Sequence, residues 1–357
     1  MKKGTIIPVT VAVLIGLMIF MMNDRTLSSE HVQKQEIAKE DALLWAKARN
    51  FYYGLPTEMN VLTDEVELAK SELGQLLYFD TRLSINNEQS CNSCHNLQTY
   101  GVDNLTTSPG ALPGTRGDRN SPTVLNAVFH AKQFWDGRAA DLEEQAKGPI
   151  LNPVEMAIPH EGVLIDRLLE VEEYIKRFAQ SFPEESQPIT YDNVAKAIAS
   201  FEKRLITPSK FDEFMALNVE VFDTQEKRGL KIFLEAGCQS CHDGPALGGL
   251  QERRLGEQVD FKQVSSKINH DKGIYELTGN LGDQYKFKVP SLRNIEHTYP
   301  YFHDGSIHEL DESVRIMGKT QLNKEFTAQE IEDLVAFLKT LTGEIPAHLK
   351  ATPAIPQ

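Results

Sequence analysis

Two pentapeptides constrain this 357-residue chain more than anything else in it: Cys91-Asn92-Ser93-Cys94-His95 and Cys238-Gln239-Ser240-Cys241-His242. They use all four cysteines, and from the chain's own 4 Cys and 10 His chance predicts roughly 0.001 copies of C-x-x-C-H. The pattern is the attachment signature of c-type haem. Two thiols a turn apart add to the two vinyl groups of one haem, and the adjoining His sets a ring nitrogen under the iron. His95 and His242 are therefore the expected axial ligands. A zinc ribbon made from the two C-x-x-C knuckles would leave both histidines unexplained and its knuckles far apart in sequence. A disulfide framework does not account for the spacing.

Composition places these motifs in a folded protein. The chain is 41% hydrophobic and 25% charged with mean hydropathy -0.35, and its length suggests about two domains. A net charge of -14 argues against a nucleic-acid partner. One segment breaks the soluble pattern: Lys2 and Lys3 precede an uncharged run from Thr5 to Met22, followed by Asn23, Asp24 and Arg25. The run is long for a signal sequence and just long enough for one span. The lysines predict a cytoplasmic amino terminus with everything after Met22 exported. No small-x-small cleavage site follows directly, and no Cys there could carry a lipid. Residues 1–24 are thus expected to be an uncleaved inner-membrane anchor, a removed signal being the alternative, with the body in the periplasm.

Amphipathic helices are predicted over His31–Asn50, Glu65–Tyr78, Glu161–Phe182, Tyr191–Leu205, Thr224–Leu234 and Thr327–Leu341, the last with Thr327 and Glu330 at capping-box spacing. Val124–Phe134 also reads as helix, with His130 in it as a structural residue. No useful strand alternation is found. Helix, haem loop, long loop and closing helix occur twice. This predicts an all-α chain: a linker and leading helix over 25–60, cytochrome c-like domains over 61–205 and 206–345, and a tail over 346–357. The boundary falls near Ile206 to Ser209.

Six further segments carry a family resemblance: Asn120-Ser-Pro-Thr-Val-Leu-Asn126, Gln133-Phe-Trp-Asp-Gly-Arg138, Gly148-Pro-Ile-Leu-Asn-Pro-Val-Glu-Met156, Phe201-Glu-Lys-Arg-Leu205, Pro290-Ser-Leu-Arg-Asn294 and Tyr301-Phe-His-Asp-Gly305. In order and spacing, over about Leu62 to Gly343, the chain resembles the bacterial di-haem cytochrome c peroxidases. The related MauG-type enzymes share much of the series. The resemblance implies a peroxidatic haem on Cys91, Cys94 and His95 and an electron-transfer haem on Cys238, Cys241 and His242. The second iron's other ligand would be Met317, a thioether that raises the potential; taken alone, Met317 reads as core filling. The MauG-type resemblance would call for Tyr there.

Glu155 resembles the family's distal acid-base residue, which moves a proton between the two peroxide oxygens. Out of context it is a surface glutamate. Gln145 and Pro149 match neighbouring distal positions, beside the plainer readings of a polar helix residue and a turn proline. Trp135 sits where the family places an aromatic between the haems, either mediating electron passage or filling the contact. Asn120, Thr298 and Pro300 match an inter-haem calcium site of oxygen ligands; that expectation rests wholly on the resemblance.

There is one departure. Many of these peroxidases cap the resting peroxidatic iron with a histidine in the loop after the first haem motif. Asn96 to Asn120 contains none, and the expected position falls in Pro109-Gly-Ala-Leu-Pro-Gly114. This predicts an iron open even when both haems are ferric. The implied function is reduction of hydrogen peroxide to water with electrons from a small cytochrome c or cupredoxin. The alternatives are a MauG-like oxidase of partner side chains and a di-haem electron carrier. A homodimer is a family expectation only.

Overall fold

The computed structural model describes residues 39–56 and 64–357. The anchor expected over 1–24 lies outside them, as does the start of the leading helix; the described part of that helix, α1, spans 39–49. Among the described residues no helix is long and apolar enough to cross a membrane. The first half carries α2 (Glu65–Phe79), α3 (Cys91–Cys94), α4 (Leu142–Leu151), α5 (Glu161–Leu169), α6 (Glu172–Ser181) and α7 (Tyr191–Glu202). The second carries α8 (Lys210–Met215), α9 (Thr224–Ala236), α10 (Phe261–Val264), α11 (Tyr275–Thr278), α12 (Leu310–Leu322), α13 (Ala328–Lys339) and α14 (Ala347–Lys350). Strand among the described residues is confined to an antiparallel ribbon, β1 (Glu252–Arg254) with β2 (Lys286–Lys288). The fold is thus mostly helical, as expected.

Each half is organised by one helix crossing, and the two crossings use the same device. Where α2 meets α7, a Cβ on Gly74 would lie 1.9 Å from the Ala197 carbonyl oxygen and 2.9 Å from Phe201 Cβ. Where α9 meets α13, a Cβ on Gly229 would lie 1.9 Å from the Asp333 carbonyl oxygen and 2.7 Å from Phe337 Cβ. Only glycine lets the backbones approach this closely, and the aromatic one turn further on each partner helix closes the gap. Capping fixes where these helices start. Asp64 accepts from Val66 N at the head of α2, and Asp223–Glu226 and Thr327–Glu330 form capping boxes on α9 and α13. Leu73, Leu77, Tyr174, Phe178 and Phe201 form part of the first core; Phe211, Phe214, Leu230, Phe233 and Phe337 form part of the second. Each side chain so buried contributes about 1.5–3 kcal/mol.

The first and last described segments cross over. Tyr52, just after α1, is buried in the second core, Trp45 Nε1 donates to Met215 O, and Lys227 pairs with Asp41 at 2.7 Å. Ile345 and Leu349 pack into the first core, and Gln98 Nε2 donates to Lys350 O. The tail is anchored on the first half through Leu349 and Lys350.

Two predicted helices are corrected. Glu161–Phe182 breaks after Leu169, because Val171 is drawn into the core in extended conformation and Glu172 and Glu173 open a new amino terminus. Val124–Phe134 holds only a 3₁₀ turn, Ala127–Phe129. Asn126 stands at φ +62° and Phe134 at φ +67°, and Asn126 spends its polar groups on the chain after α7: its N–H donates to Leu205 O and its Oδ1 accepts from Thr207 N. Asn294 repeats this exactly one domain later, at φ +59°, with its N–H on Leu341 O and its Oδ1 accepting from Gly343 N.

Candidate haem and peroxide site

Ser90 and Ser93 form a capping box that starts α3 at Cys91, and the His95 N–H closes it on Cys91 O. The second motif follows Gly237 at φ +92°, runs through a 3₁₀ turn, and closes with the His242 N–H on Cys238 O. The four thiols are free rather than paired. Burial raises the thiols of Cys94 and Cys238 above their usual range. Among the described residues no cluster of His, Cys, Asp and Glu is arranged to hold a metal ion.

Both histidines are held neutral. Burial lowers His95 below the usual range and takes His242 down to about 4, leaving each ring a lone pair for iron. A buried tyrosine fixes each backbone: Tyr78 Oη donates to His95 O at 2.6 Å and Tyr52 Oη to His242 O at 2.9 Å. Backbone groups of Gly101 and Pro122 face the first ring, and those of Leu247 and Pro290 the second. Sequence reasoning missed both tyrosines and both prolines. The signal was present, since Pro122-Thr-Val-Leu-Asn126 and Pro290-Ser-Leu-Arg-Asn294 share proline, hydroxyl and asparagine in register.

These residues fit haem. Each ring is buried, neutral and faced by backbone groups, which leaves a nitrogen for iron. Beside the second motif is a cavity of about 490 Å³, lined by Cys238, Cys241, His242 and, from α12, Met317. Its walls are largely apolar, including Phe233, Val289, Leu292 and Leu338, which suits a macrocycle.

Trp135 lines the same cavity, with its Nε1 donating to Asn120 O at 2.8 Å. It meets the His303 ring edge-on at 6.5 Å, and His303 stacks on Phe287 at 4.3 Å. Beside it Arg119 bridges Asp136 and Asp271, each at 2.6 Å. Asn120, Thr298 and Pro300 also line this cavity, and Asn120 Nδ2 is spent on Leu105 O.

Glu155 follows α4 in a tight turn. Pro149 has no N–H to give the Gln145 carbonyl one turn back. Its own carbonyl accepts from Met156 N, which folds the chain over the end of α4. Burial raises the Glu155 carboxyl above its usual range, against the opposing charge of Arg138 and a bond from Asn152. The carboxylate is close enough to Cys94 to help raise that thiol. Gln145 and Pro149 are half-buried on α4. The loop expected to carry a histidine lies directly on this turn: Ala111 N donates to Glu155 O, and a Cβ on Gly110 would lie 2.3 Å from Val154 O. His130 lies instead on the wall of the cavity beside the second motif.

Comparison with known proteins gives the family. The family model described as di-haem cytochrome c peroxidase matches residues 68–220, and that described as cytochrome c matches 226–342. The chain is 47% identical to the cytochrome c551 peroxidase of Nitrosomonas europaea over 277 residues, covering 77% of this chain and 80% of the relative. It is 41% identical to that of Pseudomonas aeruginosa over 328 residues, covering 89% and 93%. It is also 30% identical to the methylamine utilization protein MauG of Methylophilus methylotrophus, covering 79% and 85%. Among solved structures, a MauG-like protein associated with microbial copper homeostasis superposes with TM-score 0.70 at 29% identity, covering 80% of this chain and 93% of that one. The chain therefore belongs to the di-haem cytochrome c peroxidase family and is an oxidoreductase carrying haem c.

Proposed function

We propose that the protein reduces hydrogen peroxide to water in the periplasm, taking two electrons from a small c-type cytochrome or a cupredoxin. The observation that carries this reading is the difference between the two motifs. Cys94 has the acid Glu155 within electrostatic reach, whereas the cavity beside Cys238 and Cys241 contains the thioether of Met317. When bound, the haems would supply one-electron redox chemistry.

The chain's own residues do the rest. Cys91, Cys94 and His95 would hold the peroxidatic haem, and Cys238, Cys241, His242 and Met317 the electron-accepting one. Glu155 takes a proton from one peroxide oxygen and delivers it to the other, and its raised pKa suits a group that must both accept and donate. Pro149 and Gln145 shape the turn that presents it. Trp135, braced by Asn120 and His303 on the wall of the cavity beside the second motif, would mediate electron passage between the haems. Asn120, Thr298 and Pro300 would be the oxygen donors for calcium. Met317 would raise the potential of the haem held at the second motif, which would suit electron entry there.

The MauG-like reading, oxidation of a partner protein's side chains, draws support from the solved MauG-like structure but expects Tyr where Met317 stands. The test is peroxide turnover by the calcium-loaded, fully oxidised protein with pre-reduced small cytochrome c. Immediate turnover is expected, reduced about 10²–10⁴-fold in Glu155→Gln with both haem spectra unchanged. No turnover with any of several donors overturns the reading.

A further inference from the structure

The cavity beside His242 and Met317 is apolar on most sides, yet one wall carries a cation. Lys288, on β2, lines it and is only 6% exposed. Its Nζ reaches no carboxylate among the described residues; its side-chain neighbour is His130 Nδ1 at 3.5 Å. Glu252 stands opposite it on the ribbon but gives its carboxylate to Lys132 at 2.8 Å. Burial takes the Lys288 amine down to about 8 and holds His130 well below its usual range, so the neighbouring ring is no counter-ion. A buried ammonium without a partner is strongly unfavourable. The strand nevertheless holds it there: Lys288 N donates to Trp135 O at 2.7 Å and Val289 N to Gln251 O at 2.8 Å. A site kept at such a cost is built for an anion that arrives with the ligand. Haem is apolar over its faces and carries carboxylates at one edge.

We propose that Lys288, backed by His130, is the receiving site for a carboxylate of the second haem. The ion pair orients the macrocycle edge towards Trp135, to whose backbone Lys288 is bonded. It also offsets negative charge near the iron and so holds that haem's potential up. The inference rests on the reading that His242 and Met317 ligate this haem.

The experiment is a spectroelectrochemical titration of holoprotein carrying Lys288→Met or Lys288→Arg, followed through the near-infrared band of Met-ligated ferric haem. Lys288→Met is expected to keep that band. Its ratio of oxidised to reduced haem at fixed ambient potential should rise about tenfold, a fall of about 59 mV for a one-electron couple. Lys288→Arg, which keeps the charge, should stay close to wild type. An unchanged potential in Lys288→Met overturns the proposal. Absence of the band from wild type removes the Met317 assignment and the proposal with it, so the two failures are distinguishable. Should Lys288→Met not mature, wild type gives a second reading. Its haem-carboxylate bending band in resonance Raman spectra should shift in deuterated water, and no shift overturns the proposal.

Discussion

Asn126 and Asn294 donate their buried side-chain amides to one hydroxyl, that of Thr207, at 2.8 and 2.9 Å. Each asparagine belongs to the segment whose proline backbone faces its own haem histidine, and Thr207 lies in the connection between the halves. One side chain thus ties the two motif-bearing loops together. Thr207→Val keeps the shape and removes the acceptor, orphaning two buried donors at about 1–3 kcal/mol each. Thr207→Ser should unfold close to wild type. Denaturant unfolding of the holoprotein checks this, and a valine variant within about 0.5 kcal/mol of wild type would refute the link.

This contact also shows where the sequence could be read and where it could not. Local signals led correctly to α9 and α13, because an amphipathic period and a capping box are properties of a few neighbouring residues. Val124–Phe134 has a helical period too, but Asn126 gains more from Leu205 and Thr207, some eighty positions away, than from a helix. Lys288 was invisible for the same reason: nothing in Lys-Phe-Lys says which lysine turns into a cavity. The haem motifs were legible because their chemistry fixes their spacing. The tyrosines that brace them reach in from α2 and from the segment after α1, and only comparison of the two halves would have paired them.

The paired glycine crossings make separable predictions. Gly74→Ala and Gly229→Ala each place a methyl against backbone, where no side chain can swing aside. Each should cost roughly 1–3 kcal/mol. Gly74→Ala should disturb the spectrum of the first haem and Gly229→Ala that of the second, as resolved by electron paramagnetic resonance. Indistinguishable effects of the two variants on both haems would count against two independently organised halves.

Glu202 gives the stability a pH dependence of definite sign. It is 4% exposed on α7, and burial alone lifts its carboxyl from 4.5 to about 8. The folded state therefore favours the protonated form. The stabilisation is complete below the unfolded value of 4.5 and is lost as pH rises through about 8. The thermal midpoint of the holoprotein should fall across this window, and Glu202→Gln should flatten the fall. Equal slopes in the two proteins would show that Glu202 is already ionised when folded.

The resting state of the first iron follows from what stands near Glu155. Asn96 to Asn120 holds no histidine, and the loop at Pro109–Gly114 is anchored on the Glu155 turn through Ala111. His130 lines the cavity beside the second motif, and His160, five residues beyond Glu155, turns its ring onto Gly162. With both haems ferric, one iron should therefore give a high-spin or water-bound signal and the other the low-spin signal of His–Met ligation. Peroxide turnover should start without a lag, since no ligand has to leave first. Electron paramagnetic resonance of the fully oxidised protein decides the matter. A spectrum with low-spin iron only, joined to a lag that pre-reduction abolishes, would mean that a residue from another part of the chain caps the iron.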